Sequence, residues 1–373
     1  MPIYIDNAST TKIIQEVIDE MALHISEYGN PSSVHTLGRK SRELVENSRR
    51  IVASHINAKS EEIIFTSGGT ESNNLAILGF MSASDKKHVI TSAIEHVSVY
   101  NAVECGGFPH TFIGVDSDGI VNLDELENSI IPETALVSIM HVNNETGSIL
   151  PLKEISAICR KHGVLFHTDC VQSIGHLDID VDELGIDMLS LSGHKIYAPK
   201  GIGALYVRSG VKINPLLYGG NQEHGLRAGT ENILGIIGLG KAVELIPENR
   251  HNNLLILKNR LIDGIYNNIS CAQINSPQKS IDSILNVSFC RIESQLLLDK
   301  LDKQGIYASR GSACGCDSKE PSHVLTAMGI DRNTANSAIR FSFGIYNIEN
   351  DIDDLLDVLI PLVNNLRMKP EPG

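Results

Sequence analysis

Four side chains in three separate runs of the chain have complementary chemistry. Lys195, in the run Ser192-Gly193-His194-Lys195, offers an amine that can form an imine with a carbonyl. Asp169 and Gln172, in His167-Thr168-Asp169-Cys170-Val171-Gln172, offer a carboxylate and a neutral donor. Cys314, in Ser309-Arg310-Gly311-Ser312-Ala313-Cys314, adds a thiol among small residues. An imine-forming lysine, a carboxylate that keeps a pyridinium nitrogen protonated and a donor for the ring oxygen are what a pyridoxal phosphate site needs. An electron sink combined with a nucleophilic sulfur suits the removal of sulfur from cysteine.

Other residues could complete such a site, and each has an ordinary reading beside the chemical one. Ser67-Gly68-Gly69-Thr70-Glu71 follows a strand-like run and opens a helix. There Gly69 lets the backbone approach an anion, and Thr70 adds a hydroxyl. Taken alone, Gly-Gly-Thr is a common turn and helix cap. Ser192 and His194 could bind the same phosphate. His96 could stack on a cofactor ring and move protons, or be a satisfied loop histidine. Asn144 could bond the cofactor or the incoming amino acid, or serve a turn at 143–147. A lone lysine is usually solvated, a strand-end aspartate is often a cap, and a free cysteine is commonly a small buried hydrophobe.

Most of these candidates follow apolar, strand-like runs. Residues 62–66 read as a strand, and similar runs recur at 88–93, 135–142, 164–168, 188–190 and 203–207. Apolar spacing at Ile14, Val17, Ile18, Met21 and Ile25 predicts a helix, as does that at Leu44, Val45, Ile51 and Val52. A helix is also expected over 153–161. Alternation of this kind predicts an α/β protein with a mainly parallel sheet, whose strand ends present the ligand-binding residues. Beyond about residue 256 the pattern changes to a helix at 251–266, strands at 284–289, 306–309 and 338–343, and helices at 294–303 and 349–366. We read a large domain at 15–255. A smaller α+β domain is formed by 1–14 and 256–373 and carries the cysteine loop.

Bulk properties bound the function. The chain has 373 residues and a formal charge of −14, with 31 basic against 45 acidic side chains. No long basic run is present, so strong direct nucleic-acid binding is not expected and anion sites must be local. No apolar stretch reaches the roughly 20 residues of a membrane span. Seven scattered cysteines without a framework pattern fit free thiols, and the start lacks a basic-then-apolar signal. The expected location is the cytoplasm, with no membrane association and no metal.

The motifs taken in order resemble the pyridoxal phosphate-dependent cysteine desulfurases of the NifS/IscS type, within the fold-type I, class V aminotransferase-like group. The resemblance rests on Asp6-Asn7-Ala8-Ser9-Thr10-Thr11, Gly29-Asn30-Pro31-Ser32-Ser33, the Gly68-Gly69-Thr70 cup, Glu95-His96, Asn143-Asn144-Glu145 and the Asp169 and Lys195 runs. It continues through Arg227-Ala228-Gly229-Thr230, Gly311-Ser312-Ala313-Cys314 and Ile339-Arg340-Phe341-Ser342. It implies a large domain with a seven-stranded sheet, L-cysteine as substrate, a homodimer and a sulfur-acceptor protein.

By position, the resemblance implies Lys195 as the Schiff-base lysine and Asp169 as partner of the pyridine nitrogen. Gln172 would bond the ring oxygen with Asn144 near the same edge, and His96 would stack above the ring. Thr70, Ser192 and His194 would hold phosphate, with Thr230 reaching the phosphate of the other subunit. Arg340 would clamp the substrate carboxylate, although an edge-strand arginine is also an ordinary surface charge. Cys314 would take the sulfur as a persulfide, within a composition that permits a mobile loop.

Cys316 departs from the family's usual small residue at that place, giving Cys314-Gly315-Cys316. It reads as a bystander, a resolving thiol or half of a metal site. The same run resembles that of desulfurases serving DNA phosphorothioation, while iron–sulfur cluster assembly and tRNA thiolation would take the same persulfide. The competing readings are a pyridoxal phosphate lyase or aminotransferase that does not use Cys314 covalently, and a non-catalytic scaffold.

Overall fold

The computed structural model of the chain describes residues 2–246, 250–311 and 320–367. Cys314 and Cys316 lie outside the described residues. The strands are β1 (Ile3–Tyr4), β2 (Ile63–Thr66), β3 (His88–Ser92), β4 (His110–Ile113), β5 (Thr134–Ser138) and β6 (Leu165–Asp169). They continue as β7 (Met188–Ser192), β8 (Gly203–Val207), β9 (Ala272–Ile274), β10 (Ile284–Phe289), β11 (Ile306–Tyr307) and β12 (Ala338–Ser342).

A seven-stranded sheet runs in the order β2-β8-β7-β6-β5-β3-β4. Strands β7, β6, β5, β3 and β4 are parallel, and β8 is antiparallel to both its neighbours. Strand β2 therefore points the same way as the parallel set. Both faces are covered, so the strands are apolar on both sides, as buried parallel strands require. Along β2, Ile63 and Phe65 enter one core and Ile64 another. Strand β7 divides Leu189 and Leu191 from Met188 in the same way, following the two-residue period of a strand. The long helix Thr36–His55 lays Val45 and Val52 into the first core beside Ile236 and Leu239 of helix Ile233–Glu244.

A separate core lies under the antiparallel sheet β12-β10-β9. It gathers Leu257 and Leu261 of helix Arg250–Asn268, Val287, Phe341 and Leu355 of helix Glu349–Arg367. The N-terminal segment joins it: β1 pairs with β11, Asp6 bridges to Ser342, and Ile3 and Ile5 are buried there.

Two parts of the chain bear on where the domains divide. Helix Arg250–Asn268 begins before residue 256 and already places Leu254 in the second core. Helices His323–Ala327 and Arg332–Asn336 contribute Val324, Leu325 and Ala335 to the first core. We therefore propose a boundary between residues 244 and 250, with 322–336 packed back onto the large domain. Strands β4 and β9 escape a periodicity reading because they are short and mostly half-exposed. The expected run at 135–142 ends as a strand at Ser138.

Candidate active site

Five strands of one sense end at the same edge of the large sheet. Thr66 ends β2 just before Gly68–Thr70, Ser92 ends β3 before His96, and Ser138 ends β5 before Asn144. Asp169 ends β6, and Ser192 ends β7 just ahead of Lys195. This is the edge at which open α/β sheets bind ligands. A cavity of about 220 Å³ lies there. Gly69, Thr70, His96, Asn144, Asp169 and Gln172 line it, together with Ser192, His194, Lys195 and Arg340.

Asp169 is buried and fixed from two sides. Its Oδ2 accepts from Asn73 Nδ2 at 2.7 Å, and its Oδ1 accepts from the Val171 amide at 2.8 Å. Asn73 lies one turn beyond Gly69 on the same helical run, so the phosphate cup and the carboxylate are positioned together. The Lys195 ammonium donates to the carbonyls of Ala8 and Ser9, the latter at 2.8 Å. Gln172 Nε2 donates to the same Ala8 carbonyl at 2.9 Å. The N-terminal segment therefore closes one wall of the cavity.

His96 caps helix Val97–Glu104. Its Nδ1 accepts from the Ser98 amide at 3.2 Å, which leaves the ring proton of the neutral form on Nε2. Burial holds this imidazole below its ordinary pKa. Asp169 opposes that shift, while Lys195 and His323 add to it. His194 Nδ1 pairs with Thr10 Oγ1 at 3.2 Å, and burial beside Lys195 and Lys200 pushes its pKa down to about 4.

Arg340 is buried on β12. It donates to the Asn144 carbonyl at 2.7 Å, to Asp6 Oδ1 at 3.0 Å and to Ser9 Oγ at 2.6 Å. Its Nε has no partner among the described residues. The arginine read from sequence as a possible surface charge is thus a cavity wall with a spare donor.

The donor set fits pyridoxal phosphate. Gly68 takes φ +153°, and a Cβ on Gly69 would sit 2.7 Å from Val171 Cγ2, so only glycine keeps this cradle open. Amides at the start of a helix, with the Thr70 and Ser192 hydroxyls, suit a phosphate. Thr230 does not join the cavity of its own chain; it is exposed, two residues before the cap of helix Ile233–Glu244. Ala8, Ser9, Asn73 and Ser98 were not singled out from sequence as site residues. Ala8 and Ser9 lie in the run Asp6-Asn7-Ala8-Ser9-Thr10-Thr11, and the spacing of Asn73 from Gly69 is the sign of its place that the sequence offers.

A sheet of this topology with a half-buried lysine, a fixed carboxylate and a phosphate cradle at its strand ends defines a pyridoxal phosphate-dependent transferase. The Aminotransferase class-V family matches residues 3–355. Cysteine desulfurase IscS of Dictyoglomus turgidum is 45% identical over 375 residues, covering 98% of this chain and 95% of the relative. A solved NifS-like protein superposes with a TM-score of 0.91 at 36% identity, covering 99% of this chain and 100% of that one. A structure described as SspA in complex with cysteine is 39% identical, with a TM-score of 0.83 over 93% of this chain and 100% of that one. The chain belongs to the class-V aminotransferase family, among its pyridoxal phosphate-dependent cysteine desulfurases.

Proposed function

We propose that the chain converts L-cysteine to L-alanine and holds the released sulfur as a persulfide on Cys314. The convergence of Lys195, Asp169 and Arg340 on one cavity carries this reading. Bound there, pyridoxal phosphate supplies an electron sink for the substrate α-carbon. Thr70, Ser192, His194 and the amides after Gly68 hold its phosphate, Asp169 keeps its ring nitrogen protonated, and Gln172 and Asn144 serve its ring oxygen. His96 stacks on the ring and moves protons through Nε2. Arg340 would receive the substrate carboxylate, and Lys195 would hold the cofactor and take the substrate α-proton.

The sulfur step balances without an outside oxidant. The cysteine C–S bond breaks, the Cys314 S–S bond forms, and the former thiol-bearing carbon gains a hydrogen and becomes the alanine methyl. The sulfur is oxidised to the sulfane level as that carbon is reduced. The enzyme works as a homodimer in which Thr230 serves the partner's phosphate, and a sulfur-acceptor protein in the cytoplasm takes the persulfide. Cys314-Gly315-Cys316 supports DNA phosphorothioation as its pathway; iron–sulfur cluster assembly and tRNA thiolation are the alternatives that the neighbouring genes would distinguish.

The test is C314A. Peptide mass spectrometry after cysteine treatment should find an added sulfur on residue 314 of the wild type and none in the variant, with alanine release abolished. Undiminished alanine and sulfide release by C314A would overturn the covalent role of the thiol and favour a lyase. Protein that never takes up the cofactor would favour a scaffold.

A further inference from the structure

Cys271 lies between helix Arg250–Asn268 and β9, and Cys290 directly follows β10. The two strands pair antiparallel, with Val287 opposite Ile274, Ser288 opposite Gln273 and Phe289 opposite Ala272. One step further in this register Cys290 stands opposite Cys271, and the Cys290 amide donates to the Cys271 carbonyl at 3.2 Å. Opposed residues joined by such a bond lie about 5.5 Å apart at Cα and share a face of the sheet. That spacing falls within the roughly 4.4–6.8 Å that a disulfide spans. Cys271 is exposed, Cys290 is half-buried, and both are free thiols.

Arg367, at the end of helix Glu349–Arg367, spans the pair. It donates to the carbonyls of Ser270, Cys271 and Cys290, the last two at 3.1 and 3.4 Å. Burial raises the Cys290 thiol above its ordinary pKa, a hydrogen bond with the Cys271 thiol adds to that shift, and Arg367 opposes it. A guanidinium at this place favours a thiolate and repels a metal cation, so the pair suits an oxidant rather than a thiophilic metal. The other described cysteines are placed differently. Burial pushes Cys159 and Cys170 up to about 12, and Cys105 is exposed at the end of helix Val97–Glu104. Neither Cys271 nor Cys290 lines the cofactor cavity.

We propose that Cys271 and Cys290 form a redox site that a peroxide oxidises to a reversible disulfide. The exposed Cys271 meets the peroxide first: an S–O bond forms, the O–O bond breaks, and the departing oxygen leaves as water with the thiol proton. The Cys290 sulfur then attacks the sulfenic sulfur of Cys271. The S–S bond forms, the S–O bond breaks, and a second water carries off the Cys290 proton. Two electrons pass from the two thiols to the peroxide, whose oxygens end in two waters. A dithiol reductant reverses the oxidation by thiol–disulfide exchange. A transient disulfide of this kind suits a compartment that keeps other thiols reduced.

The experiment treats the holoenzyme with equimolar hydrogen peroxide, with and without dimedone to trap sulfenic acid, and maps the peptides without reduction by mass spectrometry. The wild type should yield a peptide pair joined through Cys271 and Cys290, lost again after dithiothreitol. C290S should lose that pair completely and accumulate the dimedone adduct on Cys271. C271S should lose both the pair and the adduct. A wild-type enzyme in which the exposed Cys105 is oxidised while Cys271 and Cys290 remain thiols would overturn the proposal. So would a disulfide from Cys271 to another cysteine or to a second chain, or an adduct on Cys290 in preference to Cys271. The wild-type map decides the pairing by itself, whatever the substitutions do to folding.

Discussion

Asn73 donates a 2.7 Å hydrogen bond to the Asp169 carboxylate, tying the helix that follows the phosphate cup to the end of β6. The two residues are far apart in sequence, yet this contact helps to set the direction of a carboxylate that faces the cofactor cavity. Asn73 Nδ2 also donates to Ser98 Oγ at 2.9 Å, and its Oδ1 has no partner among the described residues, so these two hydrogen bonds orient the side chain.

Removing either partner should therefore weaken the same function by different amounts. D169A should lower kcat/KM by about 10²–10³-fold, as loss of a preorganised electrostatic group does. N73A leaves the carboxylate in place but removes a hydrogen bond to a charged group, a loss of about 1.5–3 kcal/mol or at least tenfold. Steady-state alanine formation and the cofactor absorbance of both variants check this. An N73A enzyme with wild-type kinetics would show that Val171 alone orients Asp169.

Arg340 already binds Asp6, Ser9 and Asn144, and its fork is held in one plane before any substrate arrives. Lysine offers a point charge in place of that fork. R340K should raise KM for cysteine by roughly 10–100-fold with a smaller change in kcat, because paired recognition of a carboxylate is lost. A fall in kcat at constant KM would place the arginine in the chemical step.

Buried titratable groups predict a stability optimum in mildly acidic solution. Burial pushes His141 down to about 4 and His167 to about 3, so the native state refuses protons that the unfolded chain accepts below about 6.5. Each such histidine removes about 1.4 kcal/mol per pH unit as pH falls from 6.5 towards 4. Glu95 acts in the opposite sense. Burial pushes it up to about 8, so its contribution is complete below 4.5 and is lost as pH rises through 8. E95Q should abolish that alkaline loss while keeping an acceptor for Ser92 and the Met140 amide. Urea midpoints at pH 5, 6.5 and 8 test this; parallel curves for E95Q and wild type would refute the assignment to Glu95.

Arg49 and Glu223 form a buried two-pronged ion pair, with both nitrogen–oxygen distances at 2.7 Å. Glu223 also accepts from the Phe65 amide at 2.8 Å, so the pair anchors β2 to the turn that leads to Thr230. R49A should destabilise the fold by about 3–5 kcal/mol, because it strands a buried carboxylate. Replacing both partners with apolar residues of similar volume should cost much less. A double variant as unstable as R49A would mean that packing, not the uncompensated charge, sets the loss.

The chemistry was legible in local order. Lys195, Asp169, His96 and the glycine cup each follow an apolar run, and a strand followed by a loop is a short-range pattern that neighbouring residues encode. The mainly parallel sheet was legible for the same reason. Strand β4 was not, because His110 is exposed and Thr111 and Phe112 only half-buried, which leaves no clean alternation. The apolar rhythm of helix Arg250–Asn268 likewise does not reveal which core receives Leu254.

By itself, the sequence determined which functional groups are available and the local turns that carry them, since these depend on residue type and near neighbours. Only the tertiary structure decided their partners. Ala8 and Ser9 close over Lys195, Asn73 turns Asp169, and Glu145 accepts from Ser322. The reason is physical: a hydrogen bond between distant residues depends on how strands stack and which faces are buried, and that is set by the packing of the whole chain rather than by any one segment.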